Sequence, residues 1–255
     1  MEYPLMQYRL LPYLAFNVCY TISSLHMLRL WENNQKTLFT EKNPLLAELH
    51  GLSSAMKSYV AWEVMKGMQE CREACGGLGY MTYNRLGSLR NDDDVNATWE
   101  GDGNVLQMQA QKFLLKASKQ LDEGATLPYP TLSYLKANFE PEGQVWSAQD
   151  EEQTKDLEKL REAFHFYGNY TIHRSKNALA MKIMKGVKAS DAWSQLQAFY
   201  LKKMALSYSE LYVFDQTIKE IADCSDPATK KVFELNIKVW ALNVLERNFA
   251  MLSET

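Results

Sequence analysis

At 255 residues, with 46% hydrophobic and 12% aromatic side chains, the chain is long enough to bury one large or two modest cores. A formal net charge of -3 and an isoelectric point near 5.9, with no basic run beyond pairs such as Lys202-Lys203, exclude a general attraction to nucleic acid. Cys19, Cys71, Cys75 and Cys224 are too few for a disulfide framework in a chain this long and fit a reducing compartment.

Residues 10–28 run uncharged between Arg9 and Arg29, nearly the length of a membrane span. Pro12, Asn17, Thr21, Ser23, Ser24 and His26 interrupt the stretch with groups that hydrocarbon does not solvate, which predicts a helix packed among other helices. No basic segment precedes it, so a signal peptide is not expected either. From residue 45 onward Leu45, Leu49, Leu52, Met56, Val60, Val64, Met68, Cys71 and Cys75 recur at helical steps. Asn43-Pro44 supplies a cap and a first-turn proline, and Gly76-Gly77 supplies the stop. Residues 78–99 lack a sustained period and predict a long ordered loop, a feature that is usually functional.

A second helix is expected from about Asp102 to Leu121, with Val105, Met108, Phe113 and Leu114 inward. Residues 123–145 carry Pro128, Pro130, Pro141, Gly124 and Gly143, the composition of a linker. Three more helical patterns follow at roughly 149–186, 190–222 and 227–252, the last opened by Asp226-Pro227 and striped by Val232, Leu235, Val239, Leu242, Leu245 and Phe249. With no alternating strand pattern of useful length, the fold class is all-α: a unit over 1–122, the proline-bearing connection 123–145 and a second unit over 146–255.

Most candidate chemistry fails on spacing. Gly76, Gly77 and Gly79 lack the third glycine of a dinucleotide fingerprint, because residue 82 is threonine, and no strand precedes them. They fit a helix stop first, and they also let peptide N–H groups approach an anion. Asp92-Asp93-Asp94 offers oxygen ligands, but a calcium loop counted from Asp92 meets Ala97 where glycine is required and Gly103 where glutamate is required. His26, His50, His165 and His173 form no zinc or hydrolase pattern, so no metal site is expected. Glu100, between Trp99 and Gly101, fits a charge at a helix start. It also fits a general base whose pKa an apolar neighbour raises.

Taken together, residues 2–15 (EYPLMQYRLLPYLA), 69–80 (QECREACGGLGY), 84–109 (NRLGSLRNDDDVNATWEGDGNVLQMQ) and 112–116 (KFLLK) resemble the peroxisomal acyl-CoA oxidases, and among them the branched-chain type most. The likeness runs through about residues 1–120 and extends more loosely over 130–255. It implies that Glu100 is the base that removes the α-proton of a fatty acyl-CoA while the β-hydride passes to FAD. The products would be a trans-2-enoyl-CoA and, after reoxidation by oxygen, hydrogen peroxide. It further implies that Gly76, Gly77, Gly79 and Gln109 lie near FAD, and that Trp99, in place of the usual Phe or Tyr, and Gly101 border the substrate.

The resemblance begins inside the first helix of the family's C-terminal helical domain, so the chain is expected to be a truncated form without the domains that cradle the flavin. It would then act as a homodimer or beside a longer oxidase chain. The alternative is a catalytically silent helical module that dimerises with active subunits. A peroxisomal address is implied by resemblance, although Ser253-Glu254-Thr255 is not a Ser-Lys-Leu type signal.

Overall fold

A computed structural model describes residues 2–37 and 43–253, and every described element is helical or a turn. The all-α expectation holds. Glu254 and Thr255, which carry part of the targeting expectation, lie outside the described residues.

Helix α1 (Pro4–Asn34) contains Pro12 without breaking. Its buried face is Ala15, Phe16, Cys19 and Ser23, spaced one helical turn apart and packed towards α2 (Pro44–Ala74), α7 (Lys202–Asp223) and α8 (Pro227–Arg247). Of the polar residues that interrupt this stretch, Ser23 and His26 meet α7. The Tyr212 hydroxyl donates to the Ser23 carbonyl at 3.2 Å and lies 2.9 Å from His26 Nδ1. Among the described residues no helix is long and apolar enough to cross a membrane.

In α2 the Asn43 carboxamide oxygen accepts the Leu45 N–H at 3.0 Å, as the Asn-Pro start predicts. Leu49, Leu52, Met56 and Tyr59 are buried, whereas Cys71 and Cys75 at the far end of the stripe are exposed. The helix ends at Ala74, and Gly76 takes the left-handed φ of 57° that closes it.

Beyond that stop, the loop expected over 78–99 is instead a chain of short helical pieces: 3-10 turns at Gly76–Tyr80, Thr82–Asn84 and Val95–Ala97, and a helix α3 (Leu86–Asp94). The Asn84 side chain accepts the Leu86 N–H at 2.8 Å while Arg85 turns left-handed at φ 64°. No residue of α3 is buried, so its sequence carries no apolar period to betray it.

Helix α4 (Gly103–Asp122) starts where Asp102 accepts the N–H groups of Asn104 and Val105 at 2.9 and 3.3 Å. Its buried face is Gln107, Ala110, Gln111, Leu114 and Ala117, laid along α2. Leu114 is inward as expected; Val105 is not, because it sits on the opposite side of the first turn at 48% exposure.

The second half begins later than its composition suggests. Helix α5 (Leu157–Met184) starts at its cap Asp156, and the 190–222 pattern is α6 (Ala189–Leu196) and α7 joined by a π turn, Gln197–Leu201. Helix α8 corrects the stripe assigned to it. Leu245 is buried and Leu242 packs against the core as expected, but Val232, Leu235, Val239 and Phe249, the last in the short α9 (Phe249–Leu252), are exposed, while Ile237, Trp240, Ala241 and Val244 are buried. The helix is apolar on two sides, and periodicity cannot choose between them. The indole of Trp240, 5.8 Å from the Phe164 ring, decides it.

A single cluster links α1, α2, α4, α5, α7 and α8, with Phe164 stacked on Phe214 at 4.5 Å. Residues from the 123–145 segment join it. Leu132 and Tyr134 are buried, Glu48 accepts both the N–H and the hydroxyl of Thr131 at 2.7 Å, and Asn169 bonds the backbone at Lys136 and Tyr134.

Candidate active site

Helix α2 positions both turns singled out by the sequence. At its C-terminal end, Gly79 is buried so tightly that an added Cβ would lie 1.9 Å from the Arg72 carbonyl oxygen, so no larger residue fits. The preceding pair faces the other way: added Cβ atoms at Gly76 and Gly77 meet nothing within 4 Å. The Asn84 side chain donates to the Leu78 carbonyl and ties the turn to the start of α3. A shallow cavity beside it is bordered by Gln69, Arg72, Tyr80 and Arg90. Arg90 Nε is buried there without a hydrogen-bond partner. An open glycine turn beside two guanidinium groups fits the phosphate-bearing part of a dinucleotide cofactor.

Nearer the middle of the same helix, Lys57 Nζ donates to the carbonyl oxygens of Trp99 and Gly101, at 2.7 and 2.6 Å. These carbonyls flank Glu100, which has φ 55°, an uncommon conformation for a residue with a side chain. Gly101 follows at φ 108°, where glycine is needed. Trp99 is tethered by its indole N–H to the Asn96 side chain at 2.8 Å. The Glu100 carboxylate is therefore held on a strained, clamped turn, and strain of this kind concentrates at functional positions.

Apolar enclosure of Glu100 was expected from Trp99, but both side chains are exposed, Trp99 at 54%. The described residues of this chain do not build a dry slot around the acid. Leu78, Tyr80 and Tyr83 are similarly exposed, at 63%, 84% and 72%. Gln109 is half-buried on α4; its neighbours Gln107 and Gln111 are the deeply buried amides, and Gln107 donates to Ala55 and Ser58 on α2. Among the described residues no cluster of His, Cys, Asp or Glu is arranged for a metal. Lys57 went unnoticed in the sequence because its partners are backbone atoms more than forty residues away.

A family profile described as "Acyl-CoA oxidase, C-alpha1 domain" matches residues 1–115, and one described as "Acyl-CoA oxidase" matches residues 156–255. The chain belongs to the acyl-CoA oxidase family. It is similar to the Arabidopsis thaliana peroxisomal acyl-coenzyme A oxidase 2, 32% identical over 95% of this chain and 35% of that protein. It is also similar to the human peroxisomal acyl-coenzyme A oxidase 3, 30% identical over 99% of this chain and 37% of that protein. Among solved acyl-CoA oxidases, Arabidopsis thaliana acyl-CoA oxidase 1 superposes with a TM-score of 0.91 at 24% identity, over 99% of this chain and 38% of that one, which shows the shared fold. The tomato acyl-CoA oxidase superposes with a TM-score of 0.88 at 25% identity, over 98% and 38%. The chain thus spans little more than a third of the acyl-CoA oxidases it matches, their C-terminal helical portion.

A polar cluster that the sequence did not reveal lies where α2, α7 and α8 meet. Arg247 donates to Glu63 at 2.9 Å, and Lys66 donates to the same carboxylate at 2.8 Å. Burial would push the Glu63 carboxyl up, but the charges of Arg247 and Lys66 overcome it and hold it below the ordinary value. Glu210, one turn of α7 beyond Leu206, accepts the Tyr167 hydroxyl at 2.9 Å; burial raises its pKa despite the charges of Lys203 and Arg247.

Proposed function

We propose that this chain is the flavin-facing helical part of a fatty acyl-CoA oxidase, with Glu100 as the catalytic base. The observation that carries the reading is that α2 holds both the open glycine turn and the strained Glu100 turn. The two sites are thereby fixed to one rigid element. Gly76, Gly77 and Gly79, with Gln109, would lie against FAD, which when bound accepts the β-hydride and returns the electrons to oxygen as hydrogen peroxide. Glu100 takes the α-proton, leaving a trans-2-enoyl-CoA. Trp99 and Gly101 border the acyl chain. The clamp of Lys57 fixes the backbone on both sides of the base, so its carboxylate is oriented before substrate arrives.

The exposure of Glu100 and Trp99, with Leu78, Tyr80 and Tyr83, supports the reading that a further protein surface covers this face together with the flavin and excludes water from the base. The names of the peroxisomal relatives support a peroxisomal location for this work. The unit over 1–122 carries the base and the glycine turn, and the unit over 146–255 is the companion helical domain.

The test is co-expression with a full-length acyl-CoA oxidase chain whose own base is replaced by glutamine. Association, flavin retention and peroxide release from a fatty acyl-CoA are expected, and Glu100→Gln should abolish the peroxide while the flavin stays bound. Peroxide unchanged in that variant refutes the base assignment. The same exposed face favours a second reading, a silent helical partner. Association without peroxide would establish it, and no association would dismiss both.

A further inference from the structure

The stretch leading into α5, together with α5, α8 and α9, borders a cavity of about 870 Å³. That volume lies in the range of small-molecule sites, about 300–1,000 Å³, and well beyond the voids that packed interiors leave. The stretch is pinned to α5. The Trp146 indole donates to the Lys159 carbonyl at 2.7 Å, and the Glu162 carboxylate accepts both the N–H and the hydroxyl of Ser147.

The wall is mostly carbon. Trp146, Phe166 and Phe249 present aromatic rings, and Leu242, Leu245 and Leu252 present branched chains, so an apolar body leaves water for close contact there. The charged groups stand exposed at the rim and show both signs: the Lys136 ammonium against the Glu162 and Glu246 carboxylates. Both acids already accept neutral donors, Ser147 at Glu162 and the Tyr8 hydroxyl at Glu246, and His165 Nε2 is turned to Asp215 at 3.4 Å. An ion of either sign therefore meets a like charge at the rim, and inside it gives up its water without an ionic partner. A neutral ligand meets neither cost. The hydroxyls of Thr154 and Ser253 also line the wall; they donate to the carbonyls of Glu151 and Ala250 at 2.7 and 3.0 Å, which leaves their oxygens to accept an O–H from a ligand.

We propose that this cavity binds an uncharged alcohol with a hydrocarbon body, its carbon skeleton against Trp146, Phe166 and Leu242 and its hydroxyl donating to Thr154 or Ser253. None of the lining residues belongs to the proposed catalytic set, so the site stands or falls apart from acyl-CoA oxidation.

The test is calorimetric titration of the whole 255-residue chain near neutral pH with 1-decanol, decanoate and decylammonium, which share one tail and differ in the charge of the head. Saturable binding of 1-decanol is expected, at least about tenfold tighter than that of either ion. Ala163→Phe, which fills the cavity from α5, should weaken it at least about tenfold, and Thr154→Val combined with Ser253→Ala about threefold. Lys119→Met, on the exposed side of α4, should leave it unchanged. Fluorescence locates the ligand independently: 1-decanol should change the emission of the parent chain, and Trp146→Phe should abolish that change while the heat remains. No saturable heat from 1-decanol, an ion binding as tightly as the alcohol, affinity untouched by the hydroxyl variants, or an emission change that survives Trp146→Phe overturns the proposal. Should Ala163→Phe fail to fold, Trp146→Phe, which keeps a ring in place, still decides.

Discussion

The surroundings of Phe164 and those of Glu100 are opposite solutions to the same apolar inventory. Phe164 is fully buried, stacked on Phe214 and close to Trp240, so its ring is satisfied within the chain. Around Glu100 the rings of Trp99, Tyr80 and Tyr83 stand in solvent, and the backbone is held by one lysine rather than by packing. The core is finished by the chain itself. The candidate site is shaped by the chain's backbone and stands open to solvent.

The largest expected effect breaks the closed region. Phe164→Ala should cost about 3–5 kcal/mol in urea unfolding, because it leaves a cavity beside two aromatic partners. Tyr80→Ala, at 84% exposure, should cost less than about 0.5 kcal/mol in the same measurement. A comparable loss from both would erase the contrast.

Arg247→Met comes next, at roughly 2 kcal/mol near neutral pH, because it strips Glu63 of its main counter-charge. Glu63 has its pKa lowered in the folded chain, so its contribution is present above the ordinary carboxylate value and fades as pH falls through the lowered one. The variant should therefore lie closest to the parent in acid. Glu210 works in the opposite direction. Burial raises its pKa, so stability falls as pH rises through that raised value, and Glu210→Gln should flatten this part of the pH profile.

Lys57→Met addresses the open region and should cost about 1 kcal/mol, since one of the lost hydrogen bonds is exposed and the other only part-buried. Amide exchange should speed up over residues 99–103 and remain unchanged around Phe164. Uniform acceleration would mean that the clamp supports the whole fold. The smallest effect is a gain: Glu100→Gly should raise stability by about 0.5–1 kcal/mol, because glycine accepts φ 55° without strain. A loss of stability on that substitution would show that the glutamate side chain supports the fold.

Much of the architecture was legible in order along the chain. Asn43-Pro44, Asp102, Asp226-Pro227 and Gly76 are local signals, and each marks a helix end because capping satisfies backbone groups within a few residues. Helix α3 is not legible because nothing on it is buried, and only Leu242 and Leu245 of the expected α8 stripe turn inward because the helix carries apolar residues on two sides. The candidate site was legible only as residue types: a glycine turn and an acid beside an aromatic. Its strain, its exposure and the lysine that grips it were not.

The sequence by itself determined the helical class, most helix ends and the motif that marks the family, since these depend on neighbours within a turn or two. Tertiary structure alone decided which face of α8 is inside, which lysine clamps Glu100, and that Arg247 and Lys66 meet on Glu63. Those features join residues from 42 to 184 positions apart, and no local pattern records a contact that the chain makes only after it has folded back on itself.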